Sequence, residues 1–153
     1  SLRDSTQSSG LATERIVFTY LDYLLAKGDG ELPPDPGFVF VFRNSVEHFF
    51  PQHPVTSPDV VPAVTTNDPE MNSFGNLALI TAGVNSEPSN ALPLEKAHKR
   101  NINQSKKLEL MAEITKRRRD GWDKTSINDH NTAMRELLEA DLNSDEGARD
   151  AGA

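Results

Sequence analysis

The chain has no cysteine. Disulfides, thiolate metal sites and a cysteine nucleophile are thereby excluded. Any metal must then be held by histidine, carboxylate or amide oxygen, a donor set suited to hard ions such as Mg²⁺ or Mn²⁺ unless several imidazoles converge. The four histidines, His48, His53, His98 and His130, contain no His-x-x-x-His pair, which argues against zinc. No apolar run approaches the roughly 20 residues of a membrane span, and no signal peptide opens the chain. The expected setting is a soluble intracellular module with no membrane partner. No GxxxxGK pattern is present either, so Gly28-Asp29-Gly30 reads as turn chemistry and not as a phosphate loop.

What is present fits one domain with one modest core: 153 residues, beginning on Ser1, so that the chain reads as a piece of a larger protein. Residues 1–10 are polar and serine-rich, as in a flexible linker, and the stretch after Leu142 is acidic, small and expected to be mobile. Between them, Ile16, Tyr20, Tyr23 and Leu24 fall at helical spacing, with Val17, Leu21 and Leu25 widening the face and Gly28 suited to the left-handed position after the helix. GDGELPPDPG is a loop, and FVFVF (Phe38 to Phe42) reads as a strand leading into SVEHFFPQHP. Five prolines between Pro51 and Pro69 make an extended excursion. NLALIT (Asn76 to Thr81) is a second strand, followed by a helix beginning near Ser86 or Ser89. Two further helices are expected. One spans Ser105 to Arg119 with Leu108, Met111, Ala112 and Ile114 inward; the other starts at a capping box, Ser126-Ile-Asn-Asp129, with Ala133, Leu137 and Leu138 on one face.

The net charge of −7 hides an asymmetry. From Lys96 to Arg119 nine basic residues stand against Glu109 and Glu113, which makes that segment +7 and leaves −14 for the remainder. Such a distribution suits a phosphate-binding face on an acidic protein, and a merely solvated helix face is the competing reading. Trp122 reads as a core anchor for the last helix, and His130 as a helix-surface residue.

The order strand, Glu47-His48, long loop, strand, Asn85, helix makes a ββα unit whose polar residues collect where the elements meet. Phosphodiester cleavage needs a water made nucleophilic at neutral pH and stabilisation of charge on the phosphorane-like transition state and leaving oxygen. An imidazole of unperturbed pKa ~6.5 can take the proton. One Mg²⁺ or Mn²⁺ held by one or two protein oxygens, here Glu47 and Asn85, can stabilise the leaving oxygen. Adjacent strand residues point to opposite sides. Glu47 and His48 can therefore share a site only if the strand ends or bulges there, as Pro51 suggests. For an isolated histidine the bland reading, a hydrogen-bonded strand end, is the stronger one.

SVEHFFPQ, then GNLALIT, then NSEPSN followed by LEK resembles the HNH nuclease domain at the C-terminus of GmrSD-type restriction endonucleases and related phage-defence proteins. The helix ending in LDYLL and the later NQSKKLELM and GWDKTSI extend the likeness over most of Leu11 to Leu142. The resemblance implies an α+β, mainly α fold with a ββα-metal core at about residues 38–98 and helices on either side. It implies His48 as the residue that activates water, Glu47 and Asn85 as metal ligands, and Asn76 as the middle asparagine that holds the loop between the strands. Asn90 follows as support or phosphate contact, with His98, Lys99, Arg100, Arg117, Arg118 and Arg119 as phosphate-binding candidates. A glutamate where many such domains have aspartate, and an asparagine at the last position where others have histidine, both keep a ligand atom. The partners implied are DNA, with little sequence preference, and an N-terminal ParB-related NTPase domain of the same polypeptide, with a homodimer left open. The setting implied is the bacterial cytoplasm and defence against phage, linked to modified DNA such as glucosylated bases or phosphorothioate backbones. The competing class is an HNH-like module that holds DNA or its partner domain without cutting.

Overall fold

The computed structural model describes residues 10–40, 45–80, 90–99 and 104–151, with backbone alone for 145–151. The expected ligand Asn85, the basic residue Arg100, the strand residues Val41, Phe42 and Thr81, and the predicted helix starts at Ser86 and Ser89 lie outside them. Helix α1 (Arg15–Lys27) stops at Gly28, whose left-handed φ of 95° lets its N–H reach the last carbonyls, Leu24 and Leu25. Its buried stripe is Val17, Phe18, Leu21, Leu24 and Leu25; Ile16 and Tyr23, expected inward, are exposed. The stripe at i, i+1, i+4, i+7 and i+8 carries the bulkier aliphatic set, and Tyr23 instead stacks on Tyr20 and takes the Lys27 ammonium on its face.

Strand β1 (Ser45–His48) pairs antiparallel with β2 (Leu77–Ile80), His48 opposite Leu77 and Glu47 opposite Ala78. The strand expected from Phe38 is not formed over 38–40. Phe38 and Phe40 meet edge to face at 4.8 Å, the Lys106 ammonium lies 5.6 Å over the Phe38 ring, and Val39 is 69 % exposed. Phe38 contacts both Phe40 and Lys106, and among the described residues the pairing with β2 starts at Ser45. Between the strands the chain is irregular until two 3₁₀ turns, Pro69–Asn72 and Phe74–Asn76. Asn76, expected as the first residue of the second strand, closes the latter turn.

Helix α2 (Pro93–Lys96) is a single turn. Its start is set by Pro93, which fixes φ at the first helical position and holds Leu92 extended at ψ 155°, so residues 90–92 do not join it. Helix α3 (Lys106–Arg117) begins at Ser105, whose hydroxyl accepts the Leu108 N–H, and ends two residues before the expected Arg119. Buried Asp22 of α1 fastens that start, accepting from the Ser105 hydroxyl at 2.9 Å and the Lys107 N–H at 3.0 Å. Helix α4 (Lys124–Ala151) carries the stretch expected as a tail. Its capping box lies three residues before the predicted one: the Asp123 carboxylate accepts the Ser126 N–H at 2.9 Å, and the Ser126 hydroxyl accepts the Asp123 N–H. The acid thus serves as cap and the serine as its return partner.

The sheet separates two apolar clusters. On one face Val46, Leu77 and Leu79 pack with α1, Phe74, Leu110, Met134 and Leu138. On the other, Ala78 and Ile80 pack with Phe49, Phe50, Met71, Leu108, Met111, Trp122 and Ile127. Lys107 runs through the middle, fully buried, its ammonium donating to the carbonyls of Phe74 and Leu77 at 2.9 and 2.6 Å. Burial pushes its pKa down to about 7 against the opposing pull of Asp22. His130, expected on the helix surface, is 2 % exposed and meets Trp122 edge to face at 5.7 Å. The spacing Ile127, His130, Met134, Leu138 places it on the apolar stripe of α4, a signal the sequence does contain.

Neither ring nitrogen of His130 has a hydrogen-bond partner among the described residues, and burial, reinforced by the Lys107 charge, holds its pKa well below the ordinary value. The folded chain therefore keeps the ring neutral where the unfolded chain protonates it. This group's contribution is fully present above its unfolded pKa and is lost as pH falls below about 6.5, at about 1 kcal/mol per pH unit. His130→Phe, which removes two unpaired polar atoms, is expected to match or exceed the wild-type stability at pH 7 and to flatten the acid limb; denaturant midpoints between pH 7 and 5 check it.

Candidate active site

β1 ends at His48, and the end of the strand lets neighbours that point to opposite faces open on one cleft. That cleft, about 220 Å³, is lined by Val46, Glu47, His48, Pro51, Gln52, His53, Ile80 and Asn90. Glu47, His48 and Asn90 are brought together there, while exposed Gln52 and His53 join them from the Pro51–Pro54 segment. The Val55 N–H donating to the Asn90 carbonyl at 3.1 Å ties the two loops that form the walls.

Each of the two chemical residues has a brace that sequence reasoning did not identify. Lys96, the last residue of α2, donates to the His48 carbonyl at 2.7 Å and lies 3.4 Å from the Glu47 carboxylate. Both side chains are nearly buried, and desolvation draws the lysine pKa down while Glu47 draws it up, with the net shift downward. In sequence Lys96 is one lysine among nine basic residues, and nothing in PLEK distinguishes it from a solvated one. Asn72 is the second brace: its Oδ1 stands 2.8 Å from His48 Nε2.

Beneath the cleft lies Asn76, 0 % exposed. Its Oδ1 accepts the Phe50 N–H at 2.8 Å and the Trp122 indole N–H at 3.2 Å, and its Nδ2 donates to the carbonyls of Phe50 and Met71 at 3.1 and 2.9 Å. One carboxamide thus clamps the chain leaving β1 to the turn preceding β2. Trp122 is the core anchor expected, 3 % exposed and edge to face with Phe49 at 5.2 Å.

The described basic residues of the segment do not all lie at the surface. Lys96, Lys106 and Lys107 are buried against internal partners, Lys106 between Asp35 at 2.9 Å and Glu109 at 2.7 Å. Lys99, just past α2, pairs with Glu95, Lys116 pairs with Glu113 along α3, and Arg118 lies 3.8 Å from both Asp123 and Asp129. Arg117 reaches Glu31 at 4.0 Å and the Glu113 carbonyl. Arg119 is exposed and shows no ion pair among the described residues; it borders a second cleft of about 270 Å³ with Phe50, Leu92, Leu94 and Trp122. His98 is exposed on the turn after α2.

Among the described residues no three His, Cys, Asp or Glu side chains gather as a metal site. A closed zinc site is thus not formed by them. Glu47 is the one carboxylate among the described residues that lines the cleft, and Gln52 and Asn90 bring amide oxygens to it. That donor set fits a hard ion that keeps water and phosphate in most of its positions. No helix of the described residues is long and apolar enough to cross a membrane.

A family model described as GmrSD restriction endonucleases, C-terminal domain, matches residues 2–137. No curated protein and no solved structure matches the chain.

The geometry of Asn76 sets a stability expectation. Asn76→Ala leaves the Phe50 N–H, the Trp122 indole and two carbonyls to find new partners in a dry interior, so it is expected to lose about 3 kcal/mol in urea unfolding. A loss under about 1 kcal/mol would show that the clamp is dispensable.

Proposed function

The chain belongs to the GmrSD restriction endonuclease C-terminal domain family, a family of DNA-cutting enzymes, and from that premise we propose that its cleft hydrolyses phosphodiester bonds of DNA with His48 as general base and Glu47 as ligand of a single Mg²⁺ or Mn²⁺. The observation that carries the reading is the convergence of Glu47, His48 and Asn90 on one cleft at the end of β1, above a loop clamped by Asn76. When bound, the ion supplies charge stabilisation at a phosphate oxygen and the leaving oxygen. The residues do the rest. His48 accepts the proton of the attacking water as the new O–P bond forms and the P–O bond to the leaving oxygen breaks, that oxygen taking a proton from solvent. Asn76 keeps the strand end from shifting, and Gln52 and His53 flank the path of the backbone. Asn85, expected as second ligand by resemblance, completes the proposed donor set.

One strand end and one imidazole cut one strand, so a single copy is a nickase and a double-strand break needs two. The reading also brings in, as partners, an N-terminal ParB-related NTPase domain of the same polypeptide and a second copy of this chain. It places the protein in the bacterial cytoplasm, acting against phage. A second reading, a module that holds DNA without cutting, draws on one observation: the Glu47 carboxylate is already paired with the Lys96 ammonium at 3.4 Å.

Supercoiled plasmid incubated with Mg²⁺ or Mn²⁺ separates the two. The chain is expected to convert it to open circles, and His48→Ala to lower the rate by about 10²- to 10⁴-fold, the usual contribution of a general base. Cutting that survives the substitution removes His48 from the role; DNA binding with no cutting by the wild type favours the holding module.

The DNA contact is expected to concentrate on Arg119, since the other arginines of its run are occupied by acids or carbonyls. Arg119→Glu should weaken binding to plasmid fragments and reduce the salt slope by about one unit, more than Arg117→Glu does. Equal effects of the two, measured by salt titration of affinity, would return the segment to a uniform surface.

A further inference from the structure

We propose that Asn72 is the positioning residue that sets the tautomer of His48, so that Nε2 carries the proton and Nδ1 is left as the base towards the cleft. The inference deepens the reading of His48 as base and rests on it.

Asn72 Oδ1 lies 2.8 Å from His48 Nε2. A carboxamide oxygen can only accept, so the imidazole nitrogen facing it must carry the hydrogen, and a neutral ring then has its lone pair at Nδ1. Among the described residues no hydrogen bond engages Nδ1, and His48 is one of the residues that line the cleft. With the opposite tautomer two lone pairs would face each other at 2.8 Å and the nitrogen open to water would hold a proton instead of accepting one.

Asn72 is well placed to impose this choice because its backbone cannot drift. It ends the 3₁₀ turn Pro69–Asn72, in which the Met71 N–H donates to Asp68 and the Ser73 N–H to Glu70, both at 3.1 Å. Met71, one residue before it, is buried, and its carbonyl accepts from Asn76 Nδ2 at 2.9 Å. Gly10 packs so closely that a Cβ there would lie 2.7 Å from the Asn72 carbonyl oxygen. The clamp that joins Phe50 and Trp122 therefore also fixes the acceptor of His48. His48 and Asn72 lie 24 residues apart, and only the fold brings them together.

Long-range proton–nitrogen NMR of the ring, on the chain without DNA, reads the tautomer directly. The wild type is expected to show neutral His48 protonated at Nε2, and Asn72→Leu, close in shape but without an acceptor, to show a mixture with Nδ1–H. In plasmid nicking Asn72→Leu should lose about 10- to 100-fold in kcat with KM for DNA unchanged, as when a histidine loses the partner that orients it. Asn72→Asp, which restores an acceptor oxygen, should recover most of that loss and the Nε2–H signal. A wild-type ring protonated at Nδ1 overturns the proposal, as does Asn72→Leu with an unchanged spectrum. Asn72→Asp as inactive as Asn72→Leu while its ring stays protonated at Nε2 overturns it too, since the role would then be structural. Nicking that survives His48→Ala overturns the base reading instead, and leaves the spectrum of the wild-type ring where it was.

Discussion

The site depends on one buried carboxamide. Asn76 makes two donations and accepts two N–H groups with no exposure to water, so each of its bonds is worth its full desolvation penalty if broken. It holds Phe50, which follows the strand end; Met71, which precedes Asn72; and Trp122, which leads into α4. The Phe49 N–H also donates to the Asn76 carbonyl at 2.9 Å, which extends the pairing of β1 and β2 by one rung beyond His48. A loop of 28 residues between the strands, 49–76, has many arrangements available, and a network satisfied at every atom selects one of them.

The fold was legible wherever the hydrophobic period and the local chemistry agreed. Helix α1, its stop at Gly28, helix α3 from its Ser105 cap, and the Ala133, Leu137, Leu138 face of α4 follow from spacing and caps. Over 38–40 FVFVF misleads because β-propensity describes a pleated surface that neighbours must supply, and these residues have no strand beside them among the described residues. The capping box was misplaced because Asp123-Lys-Thr-Ser126 and Ser126-Ile-Asn-Asp129 share the polar residues that make caps, and only packing of Trp122 decides which end is inside. At the site, Glu47 and His48 stand out from order along the chain and Asn76 and Asn90 only from the resemblance; the fold brings Glu47, His48 and Asn90 to one cleft and buries Asn76. Lys96 and Asn72 could not, because each acts across a long separation, 48 and 24 residues, on an atom that no motif names.

Charge was the least legible property. Nine basic residues in 24 look alike in sequence, yet Lys96, Lys106 and Lys107 are buried against internal partners. Lys107 stabilises the sheet through the carbonyls of Phe74 and Leu77, and Lys106 holds the loop after α1 through Asp35. An exposed ion pair is worth ~0–1 kcal/mol, so pairing does not bar Arg117 or Arg118 from phosphate, but it makes each exchange one partner for another. Arg119 alone of that run offers charge without such an exchange among the described residues.

Glu47 and His48 illustrate how a two-residue step becomes a site. Cross-strand partners share a face, so His48 lies on the side of Leu77 and Glu47 on the side of Ala78, against different apolar clusters. Each is then braced from its own direction, His48 by Asn72 from the loop between the strands and Glu47 by Lys96 from α2. Asn72 and Lys96 come from different elements, and Lys96 touches both residues, through the His48 carbonyl and the Glu47 carboxylate. On the proposed roles, proton acceptance falls to His48 and ion holding to Glu47, and the end of β1 is where the two meet on one cleft.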